Sequence, residues 1–162
     1  MTKMLKKALV DILTEKETQE LISAFDQIGN IIIVRIPDSL ISKKKIIGET
    51  LLEQVKTTKS VFSQSSPVEG DFRTRNLEII AGEDRTETEY KESGCTFIVD
   101  VEKAFFSPRL STERERISNL IKDDEIVINM FGGIGMFSIL AAKKTPCTVY
   151  NLDINPNASK LC

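Results

Sequence analysis

The sequence predicts an α/β fold: a small α+β N-terminal domain leading into the first βαβ unit of a Rossmann-like, doubly wound sheet that is itself incomplete. Three observations carry this prediction. Short β-prone segments fill residues 25–106, interrupted by one stretch of helical spacing. From Ser107 the rhythm changes to helix, strand, loop, helix, strand. The loop, within INMFGGIGMFSILAAKK (residues 128–144), sets Gly132, Gly133 and Gly135 between an apolar strand and a helix-like segment.

Taken in order, Leu5, Leu9, Ile12 and Leu13 recur at helical spacing, so Leu5 to Phe25 reads as one or two amphipathic helices and residues 1–24 as an N-terminal helical segment. GNIIIVRIP (29–37) is a compact β-branched run ended by proline, a buried strand. Ile46, Ile47, Leu51, Leu52 and Val55 share one face of a helix, and KSVFSQ is a short strand. SSPVEGDFRTRN (65–76) is loop-like. LEIIAGE, TETEYKESG and CTFIVDVEKAFF are β-prone, with Ser93-Gly94 as a turn, and complete a 25–106 domain. In residues 107–162, Thr112 followed by Glu115 predicts a capping box at the start of STERERISNLIKD. EIVINM is a strand, a helix runs to Lys144, CTVYNLDI is a second strand, and Asn155-Pro156 caps a last helix.

Composition narrows the function. A net charge of −2 gives no global positive field, which leaves any nucleic acid to local arginine clusters. No apolar run approaches the ~20 residues of a membrane span, and the charged N-terminus lacks a signal peptide's apolar core. Cys95, Cys147 and Cys162 lie far apart with no CxxC, as in a cytoplasmic protein with reduced thiols. Histidine is absent. That removes Ser-His nucleophiles, a His base and His-ligated metals, and no metal site is expected.

The glycine loop is not an NAD fingerprint, because Ser138 stands where GxGxxG needs its third glycine, and it is not a Walker loop. The spacing Asn129-x-x-x-Gly133-x-Gly135 suits S-adenosyl-L-methionine, whose methionine end lies over the glycines. Asp153 closes the next strand, where an acid reaches ribose hydroxyls. A tight strand-to-helix turn without ligand is the alternative on these residues alone.

FFSPRLSTERERI, INMFGGIGMFSI and VYNLDINPNASKL, preceded by VEGDFRTRNLEIIAGEDRTETEYKESGC, resemble in this order the archaeal–eukaryotic tRNA (guanine-37 N1)-methyltransferase family, over nearly the whole chain from about Phe25. The resemblance implies a Rossmann-like class I methyltransferase domain, S-adenosyl-L-methionine as methyl donor, and tRNA, at its anticodon region, as partner. Guanine N1 must lose its proton as it is methylated, and Glu113 of the TER motif matches the family's general base. Arg73 of DFRTR matches the arginine that stabilises charge on O6. Arg114 resembles a position that helps bind the cofactor; Asn129, Phe131, Gly133, Gly135, Asp153 and Ile154 complete that set. Phe105 and Phe106 fall where an aromatic shapes the pocket, and Phe105 joins Arg75, Arg109 and Arg116 on the RNA side. From the residues alone, plainer readings stand beside these: Glu113 as a first-turn carboxylate, Arg73 and Arg75 as solvated surface charges, Glu115 as a cap, and the phenylalanines as core.

The chain departs from the family pattern with Asn129 for aspartate, Gly132 for alanine and Met136 for proline. Two parallel strands with one crossover helix cannot bury both faces of a sheet. The core therefore needs either a partner chain or a C-terminal half to complete it, and the chain is expected to be an N-terminal portion with little or no activity alone. The rival readings are the related aminocarboxypropyl transferase of wybutosine synthesis and a non-enzymatic RNA-binding or decayed methyltransferase.

Overall fold

The computed structural model describes residues 2–65 and 70–162. The chain divides into two compact units, residues 1–69 with 75–86 and residues 70–74 with 87–162. Most of the SSPVEG part of the predicted loop lies outside the described residues.

The first unit is built on β2 (Ile31–Val34), buried at every position. It pairs antiparallel with β1 (Phe25–Ile28) and parallel with β3 (Ser60–Gln64), and β4 (Leu77–Gly82) adds antiparallel, giving the order β1-β2-β3-β4. A parallel pair needs a crossover, supplied by α3 (Lys44–Gln54), which buries Ile47 and Leu51 and leaves Ile46 about one-third exposed. Two short helices, α1 (Thr2–Ala8) and α2 (Glu15–Glu20), precede the sheet. Leu5, Leu9, Leu13 and Leu21 join Ile32, Val34, Ile47, Leu51, Val61 and Ile80 in one core, so residues 1–24 are integral to this unit. Phe25 opens a strand where the sequence reading ends a helix. The FDQI segment carries no clear apolar alternation and becomes a strand through its ladder with β2.

α2 buries no residue and is held by its cap. Glu17 N donates to Thr14 Oγ1 at 3.3 Å, Thr14 N donates to Glu17 Oε2 at 2.8 Å, and Lys43 Nζ reaches the same oxygen at 2.7 Å.

The second unit contains the hairpin of β5 (Glu87–Glu92) and β6 (Cys95–Asp100), helix α4 (Ser111–Ser118), and the parallel pair β7 (Ile126–Asn129) and β8 (Thr148–Asn151) joined by α5 (Met136–Lys144); α6 (Pro156–Leu161) ends the chain. Ser93 and Gly94, at φ 49° and 73°, form the predicted hairpin turn. The units part at Thr86/Glu87 and not at 106/107, because the hairpin tip is bonded to the helices that follow: Arg114 to Glu92, and Lys143 Nζ to Gly94 O at 2.5 Å. Asn155 caps α6 as predicted, accepting from Asn157 N at 3.0 Å. Thr112 does not cap α4. The chain enters that helix two residues earlier through a single 3-10 turn, Pro108–Leu110, which leaves Leu110 at the cap with no side-chain bond. Ile126, Ile128 and Tyr150 line one face of the β7–β8 pair and are each more than half exposed. Among the described residues no helix is long and apolar enough to cross a membrane, and no cluster of His, Cys, Asp and Glu is suited to a metal.

The bond to Lys43, aided by Thr14, lowers the Glu17 carboxyl from an ordinary 4.5 to about 2. A depressed pKa stabilises the fold above the ordinary value, and that share is lost as pH falls through the folded one. Thermal unfolding followed against pH is therefore expected to show Glu17→Gln less stable than wild type at neutral pH, with the gap closing as pH falls toward 2.

Candidate active site

The glycine loop is fixed by main-chain and side-chain bonds. Leu152 N donates to Asn129 O at 2.9 Å and Gly132 N to Leu152 O at 2.8 Å, extending the strand pair into the loop. Asp153 Oδ2 accepts from Gly133 N at 2.6 Å, and its Oδ1 from Asn155 N at 2.8 Å. Beneath the loop, Asn129 Nδ2 donates to Ser138 Oγ at 3.0 Å, Ser138 donates to Asn151 Oδ1 at 2.6 Å, and Asn151 Nδ2 reaches Gly133 O at 3.4 Å. Ser138, the residue that spoils an NAD fingerprint, is thus the hub joining β7, α5 and β8. Gly132 has a packing reason: a Cβ there would lie 2.0 Å from Asn151 Oδ1. Gly133 and Gly135 take positive φ, 53° and 79°, the latter at the start of α5.

Beside the loop lies a cavity of about 410 Å³ that gathers Arg73, Phe105, Phe131, Gly133, Asp153 and Ile154, six of the residues singled out in the sequence. The size suits a small organic ligand, typically ~300–1,000 Å³. Arg73 sits over the Phe105 ring, 4.9 Å from its centroid, on a left-handed backbone (φ 51°) that is strained for a residue with a Cβ. Phe131 and Ile154 are 88% and 74% exposed, apolar groups left open to a ligand. Asp153 spends one lone pair of each oxygen on the loop, and a carboxylate has about four acceptor positions, so it retains capacity for hydroxyl groups. The cavity thus offers a cation over an aromatic face, apolar walls and a fixed carboxylate, groups able to hold a ligand with both apolar and hydroxyl-bearing parts.

The other predicted residues lie elsewhere in the structure. Asn129 lines a separate cavity of about 150 Å³ with Val127, Phe137 and Ser138, its amide turned to the hub. Gly135 packs beside Cys162, whose Sγ would lie 2.4 Å from an added Cβ. Arg114, implied as a cofactor ligand, has each of its three guanidinium nitrogens on a protein oxygen. Its side chain is 2% exposed, with Nε and Nη2 on Glu92 at 2.7 and 2.6 Å and Nη1 on Ser107 O at 3.2 Å. Glu113 is exposed and held side-on by Arg116 at 2.7 and 2.8 Å, which keeps its carboxyl below the ordinary range. Phe106 is core, edge-on to Tyr90 at 4.7 Å. Arg75 belongs to the first unit, 3.9 Å from Asp26, and Arg109 is exposed on the 3-10 turn before α4.

Sequence reasoning missed Asp71, Phe72, Met130 and Asn155 in the cavity wall, and Asn151 beneath it. Phe72 and Asn151 stand inside the quoted DFRTR and VYNLDINP motifs, so the signal was adjacency to residues already chosen.

The contact of Gly132 with Asn151 makes a stability prediction. Gly132→Ala is expected to cost about 1–3 kcal/mol, as overpacking does, and much less when Asn151→Ala removes the obstructing amide. Urea unfolding of wild type, both single variants and the double measures the coupling directly.

Residues 88–162 match the family described as the TRM5/TYW2 methyltransferase domain, and residues 5–86 match the TYW2 N-terminal domain. The tRNA (guanine(37)-N(1))-methyltransferase Trm5b of Pyrococcus abyssi is 47% identical over 138 residues, 85% of this chain and 42% of the relative. A solved complex of aTrm5 with tRNALeu superposes with a TM-score of 0.86 at 37% identity, over 99% of this chain and 48% of that one. P. horikoshii TYW2 in complex with MeSAdo gives 0.76 at 28% identity, over 99% and 56%. The chain thus spans about half the length of the relatives it matches. With its two parts matched in order over nearly every residue, the chain belongs to the TRM5/TYW2 methyltransferase family.

Proposed function

We propose that this chain contributes the substrate-side unit and the first half of the cofactor site of an enzyme that methylates N1 of guanine 37 in tRNA. The observation that carries the reading is the single cavity joining Arg73 and Phe105 to Gly133, Asp153 and Ile154. The Trm5b relative and the tRNA-bound aTrm5 structure support it.

S-adenosyl-L-methionine fits the donor set present, and when bound it supplies an electrophilic methyl group. Gly133 would let it approach the backbone, Asp153 would accept from its ribose hydroxyls, and Phe131 and Ile154 would flank its apolar surface. Arg73, over the Phe105 face, would lie against the guanine and stabilise negative charge on O6 as N1 loses its proton. Glu113 is the group assigned to take that proton. It is ionised at neutral pH but tied to Arg116, so it acts once that exposed pair opens, at small cost since such surface pairs are weak. A soluble protein acting on tRNA in the cytoplasm completes the reading. The TYW2 N-terminal match favours one second reading, transfer of the aminocarboxypropyl group from the same cofactor.

Mass analysis of tRNA incubated with cofactor and the protein at its natural length is expected to find one methyl group on guanine 37, and none on a tRNA with adenine there. An aminocarboxypropyl adduct would select the second reading, and tRNA binding without any transfer would leave an RNA-binding module. Arg73→Gly and Glu113→Gln are each expected to lower kcat by about 10²-fold or more, as loss of charge stabilisation or of a general base does. Arg73→Gly should do so with little change in stability, since relief of its left-handed strain offsets the lost ring contact. Because Arg116 depresses the Glu113 pKa, Arg116→Gln is expected to move the acid limb of the kcat/KM–pH profile to higher pH.

A further inference from the structure

We propose that Glu92, at the tip of the β5–β6 hairpin, is a positioning residue for this reaction: through Arg114 it sets the rotation of α4 about its axis and so the outward aim of Glu113. The inference rests on the reading of Glu113 given above.

The first turn of α4, which carries Glu113, has little else to register it, whereas the other end of the helix is tied to α5 by Lys144 Nζ donating to Asn119 Oδ1. The α4 sequence, STERERIS, contains one apolar residue, Ile117, which is only half-buried. No side chain caps its N-terminus. With neither an apolar stripe nor a cap, that first turn has no hydrophobic preference of its own for one rotation over another. What faces inward is Arg114, 2% exposed, with Ser118 one turn on, whose hydroxyl donates to Arg114 O at 2.8 Å.

The Arg114–Glu92 pair is bidentate, at 2.7 and 2.6 Å, with the Glu92 side chain 9% exposed. Two parallel bonds between planar groups fix orientation as well as distance. Tyr90 donates its hydroxyl to Glu92 Oε2 at 3.0 Å, and its ring meets Phe106 edge-on; the Arg114 guanidinium lies 5.7 Å from the Phe106 ring centroid. Ser107 O takes the remaining Arg114 bond at 3.2 Å. Arg114 is thus fixed on several sides, and Glu92 is the anionic one. Glu113 is the preceding residue on a helix of about 100° per residue, so its direction follows from where Arg114 is held.

The test separates aim from stability. Glu92→Gln keeps the shape of the acceptor and loses the charge, whereas the pair Glu92→Met with Arg114→Met keeps apolar volume and discards the fixed geometry; such replacements commonly preserve folding. In the protein at its natural length, both are expected to lower kcat about tenfold or more with KM for tRNA changed less than about twofold, the signature of a misplaced reacting group. Glu92→Asp, which retains the anion, should recover part of the loss. A methionine pair that folds and keeps wild-type kcat would overturn the proposal, as would a rise in KM with kcat unchanged. Absence of any group transfer by the unsubstituted protein would instead sink the functional reading on which this one stands.

Discussion

The parallel register of β7 and β8 is the constraint on which the candidate site depends. It pairs Asn129 with Asn151 at the carboxyl ends of the strands, where a parallel sheet leaves room for a ligand. That pairing brings both amides to the hydroxyl of Ser138 and sets Asp153 under the Gly133 amide. The loop is therefore held by directional bonds on both sides, and its glycines serve close approach as much as flexibility. Gly132 is small because Asn151 occupies the space a methyl group would need.

Neighbouring residues on α4 illustrate how burial sorts like chemistry into different roles. Arg114–Glu92 and Arg116–Glu113 are both bidentate, with contacts of 2.6 to 2.8 Å. The first is removed from water. Burial alone would raise the Glu92 carboxyl, and the bonds from Arg114 outweigh that and lower it; taking away one partner of such a pair strands a charge in a poor solvent, at about 3–5 kcal/mol. The second pair lies at the surface, where water competes for both partners and the contact opens readily. A buried anchor and an exposed, openable carboxylate can thus sit one residue apart without conflict.

Much of the element order is legible in local pattern. The β-branched GNIIIVRIP, the Ser93-Gly94 turn, the glycine loop and the Asn155-Pro156 cap each carry their own signal, because the physics that forms them acts within a few residues. Strand β1 carries none and exists through its ladder with β2. The cap at Thr112 fails for a related reason: the Thr-x-x-Glu spacing is present, but the preceding 3-10 turn starts the helix early. The capping box in the structure is at Thr14 and Glu17, in a stretch read only for its apolar spacing.

The sequence by itself determined the residue types and their spacing: a glycine loop between strand and helix, an acid after the next strand, and an arginine set in a polar loop. Those are local patterns, and together with the family resemblance they single out six residues that line one cavity. Tertiary structure alone decided which charges are spent. Arg114, Glu113 and Arg73 look alike as charged side chains in quoted motifs, yet one is consumed by Glu92, one is shared with Arg116, and one lies over an aromatic ring. The reason is that an arginine's role is set by its partners and its distance from water. Glu92 lies 22 positions from Arg114 in the chain, and no periodicity encodes a bond between side chains that far apart.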